Sequence, residues 1–503
     1  MNDPAPEALG EAGRADGDMA ALARGGRTNF IGFLLRLGAR VPFLFIAGRL
    51  YGADELGRFA YALVAVELCG MLGSLGLKRG LAQRLSREED HPANVVADAL
   101  LASLLAGLVP ALALHLFPLP MFPHGEYSAI DLLLPLAIAP LAVTEVALAA
   151  LAYRFDVKTT VKARAVVEPW TLSLAAAGLW FVLPDGGMEL AYILSILAAA
   201  LTALVPLVKN YGLPQRGRPS PARLIGMGRE YPPLAMADVV EWGTRRLDIA
   251  ILGLFASPAA VGVYWAAQQV ASLPQKLKTS FEPILGPVIT RNLKEGNKAA
   301  IARQLGQVGF WILAAQAGIA LALAIPGEGV MGLVGPAFVG GTGALAFLLA
   351  AEVAAARAVV SEAALVYMAR YRNLMLSLAT VVLQAGLTVA GMLLVEHLEL
   401  GQLYRAAAAA AALMLSLGFA SLAKGWLAER LLGEKVVNWR WPLIIAAAPA
   451  VIVGVVATRY LPEWAELAFG VPAILFVYGA VVWRTGFGPE DRILFRKNLG
   501  GMT

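Results

Sequence analysis

The stretch VVADALLASLLAGLVPALALHLF, residues 95–117, carries one formal charge, at Asp98. Its apolar residues run without alternation and are mostly Ala and Leu. It therefore reads as a helix long enough to cross the ~30 Å hydrocarbon core of a bilayer. A membrane barrel would instead show alternating segments of about ten residues. Similar stretches recur along the 503 residues, and fourteen spans are expected: 29–50, 58–77, 95–117, 129–152, 165–183, 189–208, 232–256, 259–286, 304–325, 340–366, 374–395, 402–423, 442–458 and 465–483. Composition agrees, with 58% apolar residues, a mean hydropathy of +0.66 and 15% charged residues. Soluble domains run near 45–50% apolar and about 25% charged. The single cysteine, Cys69, excludes a disulfide framework and a cysteine metal cluster, and His91, His115, His124 and His397 lack the spacing of a zinc site. Residues 1–27 are small, polar and Gly-rich, so a mobile tail is expected; they lack a signal peptide's apolar core.

The basic residues test this count. With a cytoplasmic N-terminus, the cytoplasmic segments hold 30 of the 41 Lys and Arg residues. The opposite loops, such as 117–128, 184–188 and 326–339, are nearly free of them. This is the positive-inside pattern, and it places both termini in the cytoplasm, in a multi-pass membrane protein.

A shift of 205 residues lays the first span over the seventh: Gly38 falls on Gly243, Arg40 on Arg245, Gly48 on Gly253 and Gly57 on Gly262. The shift spans six helices, an even number, so both copies enter the membrane in the same direction. The expected fold is an all-α polytopic membrane protein with two six-helix lobes related as a parallel repeat. The expected divisions are a tail at 1–27, an N-lobe at 28–208, an interlobe linker at 209–230 and a C-lobe at 231–425. Helices thirteen and fourteen with a cytoplasmic tail, 426–503, stand outside the repeat.

Several charges fall inside these spans, where a central charge costs at least ~2.5–3.5 kcal/mol on insertion scales. Arg49, Arg58, Arg405 and Arg459 lie near span ends, within reach of the headgroups. Arg36 and Arg40 form an i,i+4 pair near Asn29 on the first span, and Asp238, Glu241, Arg245 and Asp248 form one stripe on the seventh. The eighth carries Gln268, Ser272 and Lys276, with Lys278 and Glu282 beyond. Glu67 lies in the second span, Glu145 in the fourth, and Glu352, Arg357 and Glu362 in the tenth. Two readings stand. The charges form buried ion pairs between helices (Arg245 with Asp248 or Glu241, Arg357 with Glu352 or Glu362), or they line a water-filled cavity for a polar, anionic substrate. Their concentration on the opening spans of each lobe favours the cavity.

Pro274 interrupts the eighth span and is either a static kink or a bending point. Gly327, Gly329, Gly332, Gly335, Gly340 and Gly341, with Pro326 and Pro336, are expected to form a flexible external loop. No Gly-Lys-Ser/Thr ending occurs there or elsewhere, which argues against ATP hydrolysis.

The run Asn29-Phe30-x-Gly32, Arg36, Arg40, then Arg49-Leu50-Tyr51-Gly52-Ala53-x-Glu55-x-Gly57-x-Phe59-Ala60 and Leu75-Gly76-Leu77-x-Arg79-Gly80 resembles a known family. It is that of bacterial polysaccharide-biosynthesis membrane proteins, the Wzx-type polysaccharide and O-antigen flippases of the multidrug/oligosaccharidyl-lipid/polysaccharide exporter superfamily. The ending Pro489-Glu490-Asp491-Arg492 is a weaker match. The resemblance implies two lobes in a V around a cationic cavity, and a substrate of undecaprenyl-diphosphate-linked oligosaccharide moved from the cytoplasmic to the periplasmic leaflet. Arg36, Arg40, Arg79, Arg245, Arg246, Lys276 and Arg357 are the expected diphosphate and cavity ligands; Arg36, Arg40 and Arg79 also belong to the family-like stretch, and the others rest on position alone. Glu67, Asp238, Glu241 and Asp248 are left to bind sugars, orient the arginines or couple to an ion. Surface-polysaccharide export (lipopolysaccharide or exopolysaccharide) follows, without enzymatic chemistry, cofactor or nucleic acid. Proton or sodium coupling stays open, as does partnership with a polymerase and glycosyltransferases. A multidrug/cation antiporter of the same fold and a peptidoglycan-precursor flippase are the alternatives, and a membrane-embedded polymerase or ligase is the rival enzyme reading.

Overall fold

The computed structural model describes residues 41–87, 91–215, 221–279, 282–437, 439–489 and 491–492, and among them there are helices and turns but no strand. The principal helices are α1 (Gly52–Gly73), α2 (Leu77–Arg87), α3 (Pro92–Leu116), α4 (Ile138–Tyr153), α5 (Glu168–Trp180) and α6 (Gly187–Tyr211). They continue with α7 (Pro221–Glu230), α8 (Pro232–Phe255), α9 (Pro258–Thr279), α10 (Glu282–Lys294), α11 (Lys298–Ala324) and α12 (Gly327–Val334). The last are α13 (Thr342–Met368), α14 (Arg370–His397), α15 (Gln402–Leu432), α16 (Pro442–Tyr460) and α17 (Val471–Val481).

Ten helical segments of the described residues are long and apolar enough to cross a membrane, which makes this a multi-pass helical membrane protein. The first expected span lies partly outside the described residues; from Val41 it runs with the second in one segment, Val41–Arg87. The spans expected at 165–183, 232–256 and 259–286 are helical as α5, α8 and α9, but are not among the ten. The expected tail at 1–27 lies outside the described residues.

The chain divides into two compact units, Arg36–Trp265 and a second that takes Ala266–Thr503. In the first, a core of Leu77, Leu81, Val96, Ala99, Val146 and Leu151 joins α2, α3 and α4, with Leu207 of α6 beside them. The short helix α2 is amphipathic: Leu77, Leu81 and Leu85 are buried while Lys78 and Arg79 remain exposed. It ends the polypeptide's passage through the apolar layer with one face on the core. Gly80 lets the ring of Tyr231 approach so closely that a Cβ there would lie 2.7 Å from it. Burial pushes the Tyr231 phenol up to about 12, which keeps it neutral.

The first unit also contains a contact between repeat-equivalent residues. A Cβ on Gly57 of α1 would stand 1.7 Å from the carbonyl oxygen of Pro258, and one on Gly262 of α9 would stand 2.1 Å from that of Ala53. Residues 57 and 262 differ by the repeat shift, as do 53 and 258, so the two halves of this contact map onto each other. The same shift relates the Phe43–Phe59 ring pair, 6.1 Å between centroids, to the hydrogen-bonded pair Asp248–Tyr264. The 205-residue shift is therefore expressed in this contact as well as in the sequence.

In the second unit, Ile289, Leu305, Phe310, Trp311, Ala446 and Tyr478 form a core that joins α10 and α11 to α16 and α17. Asp491, 1% exposed, closes it from the C-terminal side. Its carboxylate accepts from Trp311 Nε1 at 2.8 Å, Gln307 Nε2 at 3.1 Å, Arg440 at 2.6 Å and the Gly488 N–H at 2.9 Å. Helix α9 continues through Pro274, whose carbonyl accepts from Gln316 Nε2 at 3.2 Å.

The expectation of a flexible loop at 326–341 is corrected. Those residues form α12 and a following tight turn, Pro336–Gly341. The glycines are interleaved with Val330, Met331, Val334 and Phe338, all buried, and Gly329 lies against Leu467. Small residues here permit close packing rather than motion.

Candidate functional site

Among the described residues, charges within the helix packing group in both units. In the first unit, α8 packs against α1. Arg246 grips Glu67 with both Nε and Nη2, at 2.9 Å each, in the fork geometry that suits a carboxylate. Asp238, in the second turn of α8, accepts from Arg79 Nε at 2.7 Å while Arg79 keeps 44% of its side chain exposed. Asp248, 1% exposed, accepts from the Tyr264 hydroxyl and from the Ile249 N–H at 2.8 Å, which ties α8 to α9.

A second network lies beside these. Glu145 of α4 takes Lys78 at 3.1 Å and also Arg164, and Arg164 reaches Glu168 at 2.6 Å. Two cations and two carboxylates thus join α2, α4 and the wide turn that opens α5 (Lys162–Val167). The Arg164–Glu168 spacing of four was a legible signal for this pair; Lys78 and Arg164, read as loop residues, were missed.

In the second unit, α13 and α15 pack along most of their length. Arg357 of α13 passes over Gly425 and meets Glu429 at 2.7 Å; a Cβ at Gly425 would lie 2.3 Å from the Arg357 Nε. Ser421 is inserted one turn away, accepting from the Ala358 N–H at 3.0 Å and donating to the Ala354 carbonyl, so it opens the α13 ladder beside Arg357. Lys424, 5% exposed, meets Glu362 at 2.9 Å and the Ser377 hydroxyl at 3.0 Å. The expected pairing of Arg357 with Glu352 or Glu362 is corrected: both partners lie across the helix interface, because residues five apart on one helix point away from each other. Lys424 and Glu429 were missed because they follow the apolar stretch. The helix ends only at Gly433, which has φ +73°.

Of the other expected ligands, Arg36 and Arg40 lie outside the described residues, and Glu241, Arg245 and Lys276 are placed on α8 and α9 by backbone alone. The structure brings together Arg79 with Asp238 and Arg246 with Glu67; Arg357 belongs to the other unit. Each of these three described arginines has a carboxylate partner, so none represents an uncompensated charge. Their side chains are also 25–44% exposed.

Fold comparison finds the same helical polytopic architecture in solved membrane proteins. It is similar to the lipid II flippase MurJ in its inward closed conformation, at a TM-score of 0.68 and 10% identity, covering 90% of this chain and 99% of that one. It is also similar to a multidrug resistance MATE family transporter of the MOP superfamily. The inward-facing form gives a TM-score of 0.55 at 15% identity, covering 82% of this chain and 94% of that one. The outward-facing form gives 0.51 at 13% identity, with 83% and 96% covered. No curated protein sequence matches the chain. The model of the polysaccharide biosynthesis protein family matches residues 46–321, more than half of the chain. The chain belongs to that family.

Proposed function

We propose that this protein is a flippase that moves an undecaprenyl-diphosphate-linked oligosaccharide from the cytoplasmic to the periplasmic leaflet of a bacterial inner membrane, for surface-polysaccharide biosynthesis. The observation that carries the reading is membership of the polysaccharide biosynthesis family in a chain whose fold is similar, over nine-tenths of its length, to that of a lipid II flippase. Two repeated lobes suit alternating access, in which the polar head crosses between helices while the lipid tail stays in the bilayer. Arginine donors at bilayer depth suit a diphosphate, which offers several acceptor oxygens. Arg36, Arg40, Arg79, Arg245, Arg246, Lys276 and Arg357 are the proposed contacts. Glu67, Asp238, Glu241 and Asp248 serve to orient them, to bind sugar or to couple a proton or sodium gradient. Both termini are cytoplasmic in this reading, and a polymerase and glycosyltransferases act before and after transport.

The test is export of surface polysaccharide from a deletion strain carrying Arg40→Ala or Arg245→Ala. Both variants insert at wild-type levels and lose export. Normal export by both overturns the proposed contacts. Drug efflux by the wild type, or rescue of a strain lacking its peptidoglycan-precursor flippase, selects the antiporter or the precursor-flippase reading instead.

A further inference from the structure

Glu55, within the Tyr51–Ala60 run, has no part in the charge pairs described above. It lies in the first turn of α1, Glu189 lies in the first turn of α6, and Asp131 opens the tight turn Asp131–Ala137 that leads into α4. One oxygen from each of these three carboxylates lies within 4.8 Å of the others. The residues are 8%, 3% and 1% exposed for Glu55, Asp131 and Glu189. By span parity, α1, α4 and α6 start at the same membrane face, the one bordered by the sparsely basic loops 117–128 and 184–188.

Glu55 is fully engaged: the Gly186 N–H donates to Oε1 at 3.2 Å, and Arg58 pairs with Oε2. Asp131 is half engaged, with Oδ2 accepting from the Ser128 N–H at 2.8 Å. Its Oδ1 and Glu189 Oε2 are buried, and among the described residues no donor reaches either. Three carboxylates against one guanidinium leave two negative charges without compensation inside the helix packing. Burial of such charges is sustained only by a counter-charge or by protonation. The nearby helix N-termini, with their positive ends toward the cluster, favour the ionised form.

An all-oxygen donor set selects a hard cation, not a thiolate- or imidazole-seeking one. Calcium takes oxygens at 2.3–2.6 Å, so any two of its ligands stand at most about 5.2 Å apart, and the three oxygens fall within that limit. Magnesium demands a tighter octahedron and keeps its water, and sodium would leave one charge uncancelled. We propose that Glu55, Asp131 and Glu189 form a divalent-cation site of calcium type that fastens the starts of α1, α4 and α6 together.

The test uses the full chain in detergent micelles, stripped with EGTA. Adding millimolar Ca²⁺ raises Tm by several degrees, while NaCl at matched ionic strength does not. Terbium gives sensitised luminescence that Ca²⁺ displaces. E189Q and D131N remain monodisperse by gel filtration, lose the shift and bind terbium at least tenfold more weakly, whereas E67Q keeps both responses. If E189Q does not fold, D131N and E55Q are read in its place. The proposal is overturned by a wild type indifferent to Ca²⁺, by an equal shift with sodium, by variants that keep the shift, or by variants more stable than an EGTA-treated wild type that ignores Ca²⁺. Every readout is of binding and is independent of transport.

Discussion

Arg246 holds both oxygens of Glu67, and each residue would be costly in the membrane interior without the other. Removing one partner leaves a charge in the helix packing; removing both leaves none. Glu67→Gln and Arg246→Gln alone are each expected to destabilise the protein by about 3 kcal/mol, and the double variant by clearly less than the sum. Thermal unfolding of all four proteins in one detergent measures this. Additive losses would show that the two side chains do not depend on each other. Arg357 works on the same terms but needs a third residue: without the bare backbone of Gly425 its guanidinium has no path to Glu429. That dependence was not legible in the sequence, because helical spacing ranks only neighbours on one helix. The paired charges themselves were legible as residues out of place in an apolar run, though their partners on other helices were not.

Helices α1 and α9 meet at glycines, and the meeting tolerates no added atoms. Gly57→Ala and Gly262→Ala are each expected to lower stability by about 1–3 kcal/mol, since the new methyl meets backbone that must move. Gly178→Ala in α5 is the control, with nothing within 4 Å of its Cβ position. Its expected effect is neutral to stabilising by about 0.5–1 kcal/mol, from helix propensity alone. Equal losses at all three sites, read by Tm, would refute the close contact. At this scale the sequence was read well for the existence of helices and poorly for their ends. The twelfth span, expected at 402–423, extends to Leu432 as α15, because hydropathy marks where lipid stops while a helix stops at a breaker. Gly433 was that breaker. In the same way 326–341 was read from its glycines, when its four buried apolar residues decide its structure.

For the whole chain, the distribution of basic residues makes a prediction that needs no transport assay. With the single cysteine removed as Cys69→Ser, Glu126→Cys is expected to react with an impermeant maleimide added to intact spheroplasts, and Lys435→Cys only after the membrane is opened. Both positions are exposed, so access depends on the side of the membrane alone. The reverse pattern would invert the topology. The repeat was legible at this scale from four aligned glycines and arginines, since a shift of 205 residues preserves direction through the membrane. The carboxylate cluster was not legible, because its members are 58 to 134 positions apart and share no local pattern.

The paired approach of Gly57 to Pro258 and of Gly262 to Ala53 has a consequence for how such a chain varies. In a dimer of identical halves, one codon would set both sides of that crossing, and any enlargement would be felt twice at the dyad. Once the halves are joined in a single polypeptide, each side is inherited separately. One copy is then free to keep an edge-to-face aromatic pair at Phe43 and Phe59 while the other has a carboxylate and a phenol at Asp248 and Tyr264. The glycines stand where the two segments must pass at backbone distance, so the side chains around the crossing differ while the crossing itself keeps a bare backbone.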